Sequence, residues 1–150
     1  MRLTLNVLAV LIGVGVALVA PAFAAAPKRE HHIVFQLTDN DPARMTMVLD
    51  NIANVSRYYA DKGDPVEFEI VAYGPGLHML RADTSPVAAR VKSVKESIPD
   101  VTFTACGNTI ENMERVEGRK IQLLTQAGVV QAGVARLAEL QEQGWSYIRP

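Results

Sequence analysis

The chain has 150 residues, of which 49% are hydrophobic and 21% charged, enough for one domain with a real core and too little for two. Its net charge is −1, and no Lys/Arg-rich stripe runs through the sequence, so a nucleic-acid partner is not expected. Ordinary aromatic and charged content likewise excludes a disordered tail, a collagen-like rod or a coiled coil.

Residues 1–24 stand apart from that domain. Arg2 precedes an apolar run over residues 7–20, and Ala22-Phe23-Ala24 follows as a small-x-small cleavage site. The run is short for a bilayer span of ~20 residues, so it reads as a secretory signal peptide. The expected product is periplasmic, begins near Ala25, has a lead-in over residues 25–31 and holds no stable membrane insertion. Export gives the cysteine count meaning: Cys106 is the only cysteine, which rules out an internal disulfide and Cys-x-x-Cys chemistry.

In chain order, residues 32–37 form a short apolar run ended by Thr38-Asp39-Asn40-Asp41, the pattern of a buried strand and a turn. Asp41 then caps a helix with Pro42 at its first position, and Met45, Val48, Leu49, Ile52, Val55 and Tyr59 recur at helical spacing up to Gly63. Residues 66–73 predict a second strand, followed by a Gly74-Pro75-Gly76 turn. Ser85 and Pro86 repeat the cap-plus-proline signal ahead of a helix carrying Val87, Val91, Val94 and Ile98. Residues 101–105 predict a third strand, and Asn108 with Glu111 stand at capping-box spacing for the helix after it. A fourth strand is expected over residues 120–125. Val130, Val134, Leu137 and Leu140 mark a last helix closed by Gly144, and residues 145–148 make a fifth strand.

Helices between successive strands demand parallel pairing and cover both faces of the sheet. The expected fold is an α/β, three-layer α/β/α sandwich with a five-stranded, mainly parallel sheet over residues 32–150. Every strand-to-helix loop then lies on the carboxyl rim, where open α/β folds place their sites.

Cys106 ends the third strand beside a helix start, a position that favours the thiolate. A packing cysteine at a strand end is the other reading of the same features. Gly107 leaves room beside the sulfur, and Gly74, Gly76 and Asn108 line the same rim. No arginine follows Cys106 at the spacing of a phosphatase or rhodanese loop. A hydrolase-type base would have to be His78, on the loop after strand two. His31 and His32 are adjacent and point to opposite sides of a strand, so they make no metal pair. Asp39-Asn40-Asp41 lacks the glycine and distal glutamate of a calcium loop. Neither a metal nor an organic cofactor is expected.

Three segments carry a resemblance to the DsrE family: Val71-Ala72-Tyr73-Gly74-Pro75-Gly76-Leu77, Thr104-Ala105-Cys106-Gly107-Asn108-Thr109, and Leu137 through Gly144-Trp145-Ser146-Tyr147-Ile148-Arg149-Pro150. Over residues 33–150 the chain resembles the exported single-domain members. That resemblance implies a three-layer fold, assembly into trimers or hexamers, and a cysteine at the position of Cys106 that carries sulfur as a persulfide. The donor and acceptor of that sulfur are not implied. The alternative from a different class is an oligomeric binding module that captures a small anionic or sulfur-containing ligand without turnover.

Overall fold

The computed structural model describes residues 28–150. The expected signal segment over residues 1–24 lies outside the described residues. The order is β1 (His31–Leu37), α1 (Pro42–Lys62), β2 (Val66–Ala72), a 3-10 helix (Gly74–Leu80), α2 (Ala88–Ser97), β3 (Val101–Cys106), α3 (Gly107–Glu117), β4 (Ala127–Val130), α4 (Gly133–Glu142) and β5 (Ser146–Ile148). All four strand pairings are parallel, and the sheet order is β4-β3-β2-β1-β5.

That order explains the layers. From β1 to β4 the chain steps one way across the sheet, and right-handed crossovers put the intervening helices on a single face. The return from β4 to β5 runs the other way, so α4 lands on the opposite face. Alternation along the strands matches. Ile33, Phe35, Leu37, Phe68, Ile70, Ala72, Val101, Phe103 and Ala105 pack with Met45, Leu49 and Ile52 of α1, Val91 of α2 and Leu77 of the 3-10 helix. Val34 and Val71 face the other way, against Leu137 and Leu140 of α4, with Tyr73 and Trp145 at the margin. This second face is thinly covered and partly polar, and it is the face on which Cys106 lies.

Helix α1 is bounded as its sequence dictates: the Asp41 carboxylate accepts from Ala43 N–H at 2.9 Å, Pro42 opens it, and Gly63 closes it with φ +73°. Gly76 is fixed by close approach, because a Cβ there would fall 2.3 Å from the Leu37 carbonyl oxygen. The Gly74-Pro75-Gly76 stretch is therefore more than a turn; it opens a 3-10 helix pressed onto the end of β1.

Three expectations are corrected. Residues 120–125 do not form the fourth strand. Their backbone pairs with the end of the 3-10 helix, through Ala82 N–H to Gln122 O and Leu124 N–H to Leu80 O, both 2.8 Å. Ile121, Leu123 and Leu124 are apolar because they cover the core there, and the strand proper is Ala127–Val130, with Val129 58% exposed on the sheet edge. Val130 thus belongs to β4 rather than to the last helix, and Val134 is exposed, which leaves Leu137 and Leu140 as the buried stripe of α4. Asn108 is not a cap: α3 starts at Gly107 with Cys106 itself as N-cap, and the Asn108 side chain accepts from Gln131 Nε2 at 2.8 Å.

Candidate functional site

Cys106 is the last residue of β3 and the residue from which α3 begins. The strand carries its side chain to the α4 face, and α3 leaves toward the other. The sulfur therefore sits at a junction between two helix starts. Cys106 is only 5% exposed, and burial is the largest single influence on its thiol, pushing it up. Opposing this, the N–H of Gly133, the hydroxyl and N–H of Thr109 and the N–H of Asn108 face the sulfur, and together they bring the thiol below its ordinary range. The Cys106 side chain closes no cap hydrogen bond of its own, so the effect is that of several dipoles converging on one soft atom. Asn108 contributes least, since its N–H is already committed to Gln131 O at 3.0 Å.

Thr109 is set by a second contact. Its Oγ1 accepts the N–H of Gly74 at 3.0 Å, so a lone pair is occupied and the hydroxyl hydrogen is left to point at the sulfur. Gly74 adopts φ +53° to present that N–H. Replacing Thr109 by Val keeps the shape and removes the donor. The pH midpoint for alkylation of Cys106 should then rise, with an initial rate at neutral pH reduced by about three- to tenfold; an unchanged midpoint would show that the hydroxyl does not act on the sulfur.

The β4–α4 connection closes the rim from the other side. A Cβ on Gly107 would lie 3.2 Å from Val130 O, so that residue admits the loop at van der Waals distance, and the paired Asn108 and Gln131 contacts hold it there. Tyr73 follows Ala72, which pairs with Ala105, and so stands across from Cys106 on the same face. Its hydroxyl accepts from Gln36 Nε2, and Gln36 Oε1 accepts from Tyr147 O–H. Burial first, and the neighbouring Tyr147, raise the Tyr73 phenol, which keeps it protonated beside the thiol.

Among the residues singled out from sequence, Cys106, Gly74, Gly107 and Asn108 meet at this rim. Gly76, expected on the rim as well, is instead buried against the Leu37 carbonyl at the end of β1. His78 turns its Nδ1 to Thr84 Oγ1 at 2.7 Å and is not among the groups facing the sulfur. Thr109, Gly133 and Tyr73 join Cys106 at the rim, although the sequence marks none of the three as a site residue. A cleft of about 340 Å³ is lined by Gly74, Pro75, Asn108, Thr109, Asn112 and Met113, so Thr109 is shared between the cleft and the sulfur. A larger cleft of about 440 Å³ lies at the far end of α3 among Glu111, Glu114, Arg115, Arg119 and Lys120; it contains none of the groups around Cys106. Among the described residues no group of three or more His, Cys, Asp or Glu is placed to hold a metal.

Comparison with known proteins shows the family and agrees with the fold. The model of the DsrE/DsrF-like family matches residues 31–150. The chain is similar to the solved structure of a protein of unknown function from Methanobacterium thermoautotrophicum, with 33% identity and a TM-score of 0.67 over 80% of this chain and 99% of that one. No curated protein matches.

Proposed function

The chain belongs to the DsrE/DsrF-like family, and from that premise we propose that it is a sulfur carrier that holds a persulfide on Cys106. One observation carries the reading: the sole cysteine stands where the N–H groups of α3 and α4 and the Thr109 hydroxyl converge, so its thiol lies below the ordinary range despite burial. The loading step is redox-neutral. The Cys106 thiolate attacks the outer sulfur of a donor persulfide R–S–SH, the new S–S bond forms as the donor S–S bond breaks, and R–S⁻ departs with the electron pair. In unloading, an acceptor thiolate attacks the outer sulfur of Cys–S–SH and the Cys106 thiolate leaves. The same dipoles that stabilise the thiolate make it a good leaving group in that second half.

Incubation with polysulfide, removal of excess and intact mass measurement test the proposal. The expected product is heavier by one sulfur atom, loses it to cyanide, and passes it to an added thiol. A chain that gains no sulfur, or gains it elsewhere than on the Cys106 peptide, contradicts it.

The near-complete burial of the sulfur favours a second reading, a non-catalytic oligomeric module that binds a small anionic or sulfur-containing ligand at the same rim. Such a module retains its ligand when Cys106 is replaced by Ser; a carrier does not. The wider setting proposed is a periplasmic homo-oligomer, a trimer or hexamer. Its support is the leader-like sequence of residues 1–24 and the exposed apolar groups at both sheet edges, Val129 on β4 and Tyr147 and Ile148 on β5. N-terminal sequencing is expected to begin near Ala25, and light scattering to give a multiple of the chain mass. An intact Met1 chain in the membrane fraction, or a monomer at tens of micromolar, would remove one or the other.

A further inference from the structure

The α4 face buries a carboxylate that the sulfur chemistry does not use. Glu69, on β2, is 3% exposed. Its oxygens accept from Arg136 Nε at 3.0 Å and Nη2 at 2.7 Å, and Oε1 also accepts from Thr104 Oγ1 at 2.8 Å. Burying a carboxylate under a thinly covered face costs more than its pairing returns unless something is gained in placement. Arg136 lies one turn into α4, and its backbone N–H closes the first turn on Ala132 O at 3.0 Å. The pair therefore pins that turn to the centre of the sheet. Gly133, the first residue of α4, is pressed against the site by this geometry: a Cβ there would lie 3.2 Å from Cys106 Cβ, 3.3 Å from Tyr73 Cβ and 3.3 Å from Val71 Cγ1. The N-cap, Ala132, brings no side-chain acceptor, so the sulfur is the group that the opening of α4 addresses.

We propose that Glu69 and Arg136 are positioning residues for Cys106: their ion pair, buried at its Glu69 end and partly exposed at Arg136, holds the first turn of α4 against the sheet, so that the Gly133 N–H stays on the sulfur. The inference deepens the sulfur-carrier reading, and only its consequence for loading rests on that reading. The titratable and charged groups on this face are Tyr73 beside the sulfur with Tyr147 and Arg149 beyond it, Glu69 and Glu67 on β2 with His32 against Glu67, and Arg136 with Glu139 on α4. A fair test must therefore remove the tether without adding net charge. Glu69→Gln together with Arg136→Met does so, and leaves Thr104 an oxygen to donate to.

The readouts are the pH midpoint of Cys106 alkylation, the rate of sulfur uptake from polysulfide, and the melting temperature. In the double variant the midpoint should rise and the rate of alkylation at neutral pH should fall by about three- to tenfold. Arg136→Lys, which keeps a cation for Glu69, should recover part of both. Gly133→Val keeps both charged residues but crowds the opening of α4 away from Cys106 and Tyr73, and it should raise the midpoint too. If the double variant fails to fold, Arg136→Lys alone carries the test, because losing the forked contact to Glu69 should raise the midpoint part of the way, and an unchanged midpoint there would overturn the proposal. A lowered melting temperature with an unchanged midpoint would overturn the proposal and reduce the pair to a packing contact. If the unaltered chain takes up no sulfur while the variants still shift the midpoint, the carrier reading falls and the positioning role stands.

Discussion

Replacing Cys106 by Ser is expected to abolish sulfur uptake while leaving the stability within about 1 kcal/mol of the original, because sulfur is exchanged for the smaller oxygen in the same rotamer. The loss should be complete rather than graded. No second cysteine exists in the chain to take over, and a serine hydroxyl is neither ionised at neutral pH nor nucleophilic toward sulfane sulfur. The serine oxygen would still be faced by the Gly133 N–H and the Thr109 hydroxyl, so the converging dipoles keep a partner and α3 and α4 keep their places. Residual uptake in this variant would locate the sulfur on another group and sink the assignment.

The largest effect on stability is expected at Arg81, which has no part in that chemistry. Its side chain is 1% exposed and donates in a fork to Asp83 at 2.9 and 2.8 Å and to both oxygens of Glu117. It thereby ties the strand-like exit of the 3-10 helix, where Arg81 bridges Leu123, to the last turn of α3. Arg81→Met fills the same space without the charge and leaves the two carboxylates only the half-exposed Arg119 as a shared cation. We expect a loss of ~3 kcal/mol, the lower end for a broken buried pair, because both carboxylates keep some contact with water. The ion pairs also set a pH signature. Hydrogen bonding to Arg81, and then to Arg119, holds the Asp83 carboxyl well below the carboxylate range, and Arg81 lowers Glu117 in the same way. Groups whose acidity is strengthened by folding stabilise the native state above their unfolded pKa of about 4 and lose that contribution as pH falls toward the folded value. The melting temperature should therefore drop on acidification below about pH 4, and drop less steeply in Arg81→Met. An equal slope in both proteins would show that these carboxylates are not held by Arg81.

Much of this architecture is legible in the residues, and the exceptions have physical causes. Strands β1, β2 and β3 are central and buried, so their apolar runs stand out between turn signals, and the Asp41-Pro42 and Gly63 boundaries of α1 state its length outright. Strand β4 hides for the opposite reason. It is a four-residue edge whose Ala-Gly-Val-Val sequence is half-exposed, whereas the nearby Ile121, Leu123 and Leu124 owe their strand-like appearance to packing on the core. The 3-10 helix at Gly74 is legible as a glycine-proline signal but not as a helix, because what shapes it is the approach of Gly76 to the Leu37 carbonyl. The site divides along the same line. Cys106 and its neighbours are contiguous in sequence and announce themselves. Gly133 lies 27 residues further on and joins the sulfur only because the crossover to β5 returns on the opposite face. Nothing in its local sequence marks it, and Glu69 and Arg136 are likewise ordinary charges until the sheet and α4 bring them together.

A Cys106 that carries sulfur as proposed is a stabilised thiolate that small reagents reach although the residue is only 5% exposed; a packing thiol is not. The most direct measurement is the rate of its alkylation by iodoacetamide across pH, in the folded protein and in denaturant. The folded chain is expected to react faster at neutral pH than an ordinary thiol, with a midpoint below that of the denatured chain. A Cys106 that stays unmodified in the folded protein and reacts only once denaturant is added would contradict it.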